Sequence, residues 1–114
     1  MTQQLRKTYD GGYTAKIAPA NNAAHTPELE IAVKEEAERL VREFSKKGFG
    51  LSTNNSYGIS LNLSNPVEAR VIIDYAYWRE PWLAEEIQQI LREQGYEDKQ
   101  KYYGASDIAE IFKK

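Results

Sequence analysis

The sequence predicts an α+β fold: a mostly antiparallel sheet of about three to five strands, with two main helices packed on one face and a short C-terminal helix. Two amphipathic stretches, at 27–47 and 82–94, predict the main helices, and strict alternation over 57–63 predicts a strand with one buried face. The elements follow in the order hairpin, helix, hairpin, strand, helix, short helix. In this order, helices cover one side of a sheet.

Length and composition predict one domain with a single core, because the chain has 114 residues and is 41% hydrophobic. Lysine and arginine number 15 against 17 acidic residues, so the chain lacks the basic excess typical of nucleic-acid binders. It has no cysteine, which excludes disulfides, thiolate catalysis and cysteine-based metal sites. No segment approaches the roughly 20 apolar residues of a membrane span, so we expect a soluble cytoplasmic protein.

The N-terminal segment predicts a hairpin over 6–17, in which D-G-G forms the turn between R-K-T-Y and Y-T-A-K-I. Glycine supplies the positive φ angles that tight hairpin turns need. Alternation places Tyr13, Ala15 and Ile17 on one face. The small and polar residues from Ala18 to His25 have no period and predict a connecting loop.

The first helix is predicted over 27–47, with Thr26 as N-cap, Pro27 at the first position and Gly48 just beyond the end. One apolar stripe at helical spacing predicts its buried face: Leu29, Val33, Ala37, Leu40, Val41 and Phe44. Opposite charges four residues apart predict a solvated outer face: Glu30–Lys34, Glu35–Arg39, Glu38–Arg42 and Glu43–Lys47.

The segment after this helix predicts a second hairpin over 49–63. Residues 48–67 carry no charge, and Y-G-I-S-L-N-L alternates strictly. The alternation predicts one buried face formed by Tyr57, Ile59, Leu61 and Leu63. The preceding F-G-L-S-T is expected to pair with this strand across a turn at 54–56.

Residues 65–78 fit two interpretations. N-P-V-E resembles a helix start with Asn65 as cap, whereas R-V-I-I-D-Y-A-Y-W is rich in β-branched and aromatic residues. We favour a strand over 69–78. Pro81 then opens a helix over 82–94, which Gly95 ends and onto which Tyr96 folds back, and Ser106 caps a short helix over 106–113.

The central order of a helix, three strands and a second helix resembles that of double-stranded-RNA-binding domains. The second helix begins W-L-A-E-E here, without the lysines that such domains use at this position. The resemblance therefore concerns the order of elements, and no function follows from it.

No motif predicts a cofactor, a metal or a catalytic residue. His25 is the only histidine, and the glycine-rich signatures of nucleotide-binding loops do not occur. Carboxylates could in principle serve acid–base chemistry, and Asp74 stands out because it lies within an apolar run. We expect a structural role for Asp74, in an ion pair with Arg70 or Arg79.

Two groups of residues are candidates for binding a partner. The first is aromatic and basic, and it consists of Trp78, Arg79 and Trp82. The second is a polar, uncharged sheet face that allows close approach without desolvating a charge, and it includes Ser52, Asn54, Ser60 and Asn62. This face is a candidate for a homodimer contact, for packing under the last helix, or for contact with a partner.

The resulting hypothesis is a non-catalytic interaction module, a small accessory or inhibitor protein that binds another protein. Small, acidic, cysteine-free proteins of this kind are common among the products of phages and mobile elements. Two alternatives remain open. One is binding of nucleic acid or a nucleotide, with phosphate contacts from Lys46, Lys47, Lys99 and Lys101. The other is a small enzyme that uses Asp74, Glu68 or His25.

Overall fold

A computed structural model describes residues 4–10, 14–20, 24–51, 59–73 and 81–97. Within them the elements are, in chain order, β1 (Leu5–Asp10), β2 (Thr14–Pro19), α1 (Pro27–Lys46), β3 (Ile59–Asn65), β4 (Glu68–Ile73) and α2 (Pro81–Glu93). Four antiparallel strands and two helices confirm the predicted α+β class. The predicted short helix over 106–113 lies outside the described residues.

The four strands are arranged in the order β1-β2-β4-β3, so β2 and β4 are central. Apolar residues on neighbouring strands lie side by side, with Ala15 opposite Val71 and Ile59 opposite Ile73. All four of these side chains are at most 1% exposed. Because side chains alternate along a strand, this register collects the apolar positions on one face of the sheet.

Both helices contribute to the core that covers this face. Helix α1 lies against β2 and β4, and its predicted stripe is buried except for Val41, which is partly buried. From α2, Ile87, Ile90 and Leu91 join the same cluster. The sequence signals at the ends of α1 are also confirmed. The Thr26 hydroxyl accepts a hydrogen bond from the Leu29 amide at 3.1 Å, and Gly48 has a φ of 91° just beyond the helix.

The N-terminal hairpin is confirmed, with β1 and β2 paired from Asp10–Thr14 to Leu5–Pro19. This pairing is longer than predicted. Ala18 and Pro19, which the sequence assigned to a loop, continue β2 because β1 extends far enough to pair with them. Beyond β2, the Ala20 amide donates to the Gln4 carbonyl at 3.1 Å.

The ambiguous segment is a strand as far as the structure describes it, because β4 covers residues 68–73. The helix interpretation is wrong for these residues, because Asn65 stabilises a turn and does not cap a helix. The Asn65 side chain accepts a hydrogen bond from the Val67 amide at 3.0 Å, so it stabilises the two-residue turn between β3 and β4. Residues 74–78 lie outside the described residues.

Two details of the predicted second hairpin are corrected. Leu63 was expected on the buried face but is 41% exposed, because the register shifts by one residue between Asn62 and Asn65 and the alternation breaks at this bulge. Residues 49–51 form no strand. Instead, the Phe49 amide donates to the Phe44 carbonyl at 2.9 Å and closes the end of α1. Residues 52–58 lie outside the described residues.

The outer side of β1 is covered by the chain that follows α2. The Tyr9 amide donates to the Glu97 carbonyl, and the Glu97 amide donates to the Lys7 carbonyl, both at 3.2 Å. Gly95, with a φ of 94°, ends α2 and lets the chain turn back toward the sheet. Tyr96 is only 4% exposed, which confirms that it folds back onto the helix and the core.

Candidate interaction surfaces

Trp82 is the one member of the predicted aromatic group that lies within the described residues. It occupies the first turn of α2 and is 66% exposed. Its exposure follows from the helical period, because the core stripe that contains Ile87 and Leu91 lies well around the helix from it. Trp78 and Arg79 lie outside the described residues.

The residues around Trp82 are charged or polar. They border one shallow depression, here called the Trp82 surface, which consists of Trp82, Glu85, Glu86, Gln88, Gln89 and Arg92. Glu85, Glu86 and Gln89 are exposed, whereas the Gln88 side chain is almost fully buried. An exposed tryptophan with a polar rim is the composition typical of protein-binding hot spots.

The predicted sheet-face residues Ser60 and Asn62 lie on the side of the sheet away from the helices. Ser60 is half-buried, and Asn62 is exposed. The Asn62 side-chain oxygen accepts hydrogen bonds from the Ser64 amide at 2.9 Å and from the Ser64 hydroxyl at 2.7 Å. Ser52 and Asn54 lie outside the described residues.

Charged residues on the neighbouring strands share this sheet face. The predicted absence of charge therefore holds only for β3. Asn62 lies opposite Arg70 in the register. The Glu68 carboxylate is 2.6 Å from Arg70 Nε and 3.8 Å from Lys16 Nζ. A partner that covered this face would have to desolvate these ion pairs, which costs free energy.

A third surface was not predicted from the sequence. Ile31 is 56% exposed and Leu63 is 41% exposed, and both border a groove of about 420 Å³ between the first half of α1 and the β3–β4 hairpin. This apolar groove is lined by Pro27, Glu30, Ile31, Val33, Lys34, Leu63, Asn65 and Pro66. One signal was available, since Ile31 is an isoleucine that lies off the buried stripe of its helix.

A polar cluster lies at the opposite edge of the sheet and joins β1, α1 and the end of α2. Glu36 accepts from Arg39 at 2.5 and 2.9 Å, and its carboxylate is 3.1 Å from Lys7 Nζ. Arg39 also donates to the Gln94 side chain, and Lys7 donates to the Gln94 carbonyl at 3.3 Å. Burial acts to raise the pKa of Glu36, but the hydrogen bonds and positive charges of Arg39 and Lys7 outweigh it and hold the pKa below its usual range.

Two tyrosines beside this cluster differ in their hydrogen bonding. The Tyr9 hydroxyl donates to the Gln88 carbonyl at 2.9 Å in a buried contact. The Tyr96 hydroxyl is buried and has no hydrogen-bond partner within the described part of the chain. Burial, reinforced by the negative charge of Glu36, raises the pKa of Tyr96 well above its usual value.

His25 and Glu68, two of the residues named for a possible enzyme, are not brought together. His25 is exposed and pairs with Glu30 at the start of α1, whereas Glu68 belongs to the ion pairs on the far face of the sheet. Asp74 lies outside the described residues. In the described ranges, no three His, Asp or Glu side chains are grouped so that they could hold a metal ion.

The lysines named for phosphate contact have acidic neighbours. Lys46 Nζ is 3.0 Å from Glu43, and Lys47 Nζ is 4.0 Å from Glu93. Lys99 and Lys101 lie outside the described residues. Neither α1 nor α2 is long and apolar enough to cross a membrane.

The chain was also compared with known proteins. No protein-family model, no curated protein and no solved structure matches it.

Proposed function

We propose that the protein is a non-catalytic interaction module of the accessory or inhibitor type, which binds a protein partner through the Trp82 surface. The observation that carries this proposal is the 66% exposure of Trp82 in the first turn of α2. A tryptophan offers a large apolar area and few rotatable bonds, so its burial in a partner yields much free energy at little entropic cost.

The charges around Trp82 favour a protein over a nucleic acid as the partner. Glu85 and Glu86 lie beside it and are exposed, and Arg92 is the one basic residue among the described residues that border the Trp82 surface. Carboxylates repel phosphate, so stacking of a base on Trp82 would work against its surroundings. A protein with a basic rim around an apolar pocket would complement both the ring and the acids.

The sheet face with Ser60 and Asn62 is the weaker of the two predicted surfaces. Asn62 already binds Ser64, and the same face carries the Glu68–Arg70 ion pair. Covering this face would break or desolvate contacts that are already made within the chain, whereas the exposed Trp82 ring offers a large apolar area to a partner.

The test is affinity capture from nuclease-treated lysate of the cells in which the protein occurs, with wild type, Trp82→Ala and Ile31→Ala as baits. Loss of a hot-spot tryptophan costs about 2 kcal/mol or more, so we expect Trp82→Ala to retain roughly 30-fold less of the partner. Ile31→Ala is the matched control, because it removes an exposed apolar side chain from another surface.

Thermal unfolding of the three baits checks that each is folded. The proposal is refuted if every protein retained by wild type is retained equally by folded Trp82→Ala. A partner that is recovered from untreated lysate but lost after nuclease treatment would refute it as well, and would favour the phosphate-binding alternative.

A further inference from the structure

We infer that the apolar groove is the interface of a homodimer, in which the α1 helices of two copies lie antiparallel across a two-fold axis. Within the described residues, the large hydrophobic side chains that remain exposed are Ile31, Leu63 and Trp82. Two of these three border the same groove. A cluster of exposed apolar side chains with a polar rim marks a contact site, whereas single apolar side chains scattered over a surface do not.

The charges on the rim indicate that the occupant is a second copy of this chain. Glu30 and Lys34 line the groove and lie one helical turn apart on α1. If two α1 helices lie antiparallel about an axis at the level of residue 32, Glu30 of each copy faces Lys34 of the other. The rim is therefore complementary to itself, as a two-fold interface requires.

Both rim charges are able to form these contacts. Lys34 is exposed and has no ion-pair partner among the residues that the structure describes. Glu30 binds His25 through Oε2, and a carboxylate has further acceptor sites on its second oxygen. Two new interchain ion pairs can thus form without breaking the contact with His25.

The apolar part of the contact follows from the same arrangement. Near the two-fold axis, Ile31 of each copy lies over the groove of the other, whose walls include Leu63 and Pro66. Ile31 and Leu63 are then removed from water together. One groove is a small contact area, so we expect a weak dimer whose population depends on protein concentration.

This interface is separate from the Trp82 surface, which lies on the other helix. Failure of one proposal leaves the other intact.

The first experiment is a charge exchange, with dimer dissociation measured by sedimentation equilibrium of the full chain. Lys34→Glu and Glu30→Lys each place like charges against each other twice, so we expect each to weaken the dimer at least about tenfold. The double variant Glu30→Lys/Lys34→Glu restores opposite charges and is expected to dimerise within about threefold of wild type. A different protein partner would not give this rescue, because its own charges would remain unchanged.

The second experiment uses the absence of cysteine from the chain. Ile31→Cys introduces a single thiol close to the two-fold axis, and mild oxidation is expected to give a disulfide-linked dimer. Trp82→Cys is the matched control, because it places an exposed thiol on the other helix and is expected to remain largely unlinked.

Thermal unfolding at low concentration checks the fold of each variant. The proposal is overturned if wild type is monomeric at every concentration, if the double variant fails to restore the dimer lost in the single variants, or if Trp82→Cys links as readily as Ile31→Cys.

Discussion

The two edges of the sheet are built from different chemistry. At the β1 edge, Glu97 supplies backbone partners, and Glu36 joins β1 to both helices through Lys7, Arg39 and Gln94. At the β3 edge, the strand carries no charged residue, a bulge breaks its alternation, and Leu63 is exposed beside the apolar groove.

The difference shows which edge of the sheet already makes its contacts within the chain and which edge leaves side chains exposed. The charged side chains of Lys7, Glu36 and Arg39 at the β1 edge are paired within the chain, and a partner would have to break those pairs before it could bind. Apolar groups at the β3 edge remain in contact with water, so a second copy that covered them, as we infer above, would gain free energy. We therefore expect substitutions at the β1 edge to change stability and substitutions at the β3 edge to change association.

The largest effect on stability is expected from Glu36→Gln. It removes the charge that Lys7 and Arg39 share in a partly buried site, and hydrogen bonds to charged groups contribute about 1.5–3 kcal/mol. Chemical denaturation at neutral pH should show a loss in this range. Glu38→Gln on the exposed face of the same helix is the control, with an expected change below about 0.5 kcal/mol.

The effect of Glu36→Gln also depends on pH. The pKa of Glu36 is lower in the folded protein than the ordinary value of 4.5. Its stabilising contribution is therefore complete above the unfolded pKa and is lost as the pH falls through the folded pKa. The stability difference between wild type and Glu36→Gln should shrink below about pH 4.5. A constant difference between pH 7 and pH 3 would contradict the assigned role.

A smaller effect is expected from Tyr9→Phe, which deletes the hydroxyl that donates to the Gln88 carbonyl at 2.9 Å. The carbonyl loses a buried partner, so we expect a loss of about 1 kcal/mol in the free energy of unfolding. Tyr96→Phe is the matched control, because it deletes a buried hydroxyl with no hydrogen-bond partner in the described structure. It should be neutral or stabilising, and equal losses from both variants would contradict the difference between the two tyrosines.

The smallest effect on stability is expected from Leu63→Ser at the β3 edge. Leu63 is 41% exposed, so its replacement should change the free energy of unfolding of the monomer by less than about 1 kcal/mol. The measurement requires dilute protein, since a dimer would add concentration-dependent stability. The same substitution should weaken dimerisation in sedimentation experiments. A loss of stability as large as that of Glu36→Gln would remove the contrast between the edges.

Local signals in the sequence predicted the elements well. Thr26, Pro27 and Gly48 marked the ends of α1, and strict alternation assigned Ile59 and Leu61 to the buried face of β3. Each of these features depends on residues that are close together in the sequence, so the residue types alone predict it.

Features that depend on distant residues could not be predicted in this way. The strand order places β4 between β2 and β3, which no local pattern specifies. The bulge that exposes Leu63 arises from pairing with β4, and the Glu36 cluster joins three separate elements. The exposure of Trp82 was predictable in part, because the spacing of the α2 stripe already separated it from the core face.

Because Glu97 pairs with the outer edge of β1, that edge stays unpaired until late in synthesis. Lys7 and Gln94, which flank this contact, are separated by 87 positions. At about 5–20 residues per second, a ribosome needs roughly 4–17 s to produce the segment that covers the outer side of β1. Until then, each nascent chain carries an open strand edge that can pair with other chains, so slower translation or deletion of residues 95–97 should increase aggregation of newly made protein.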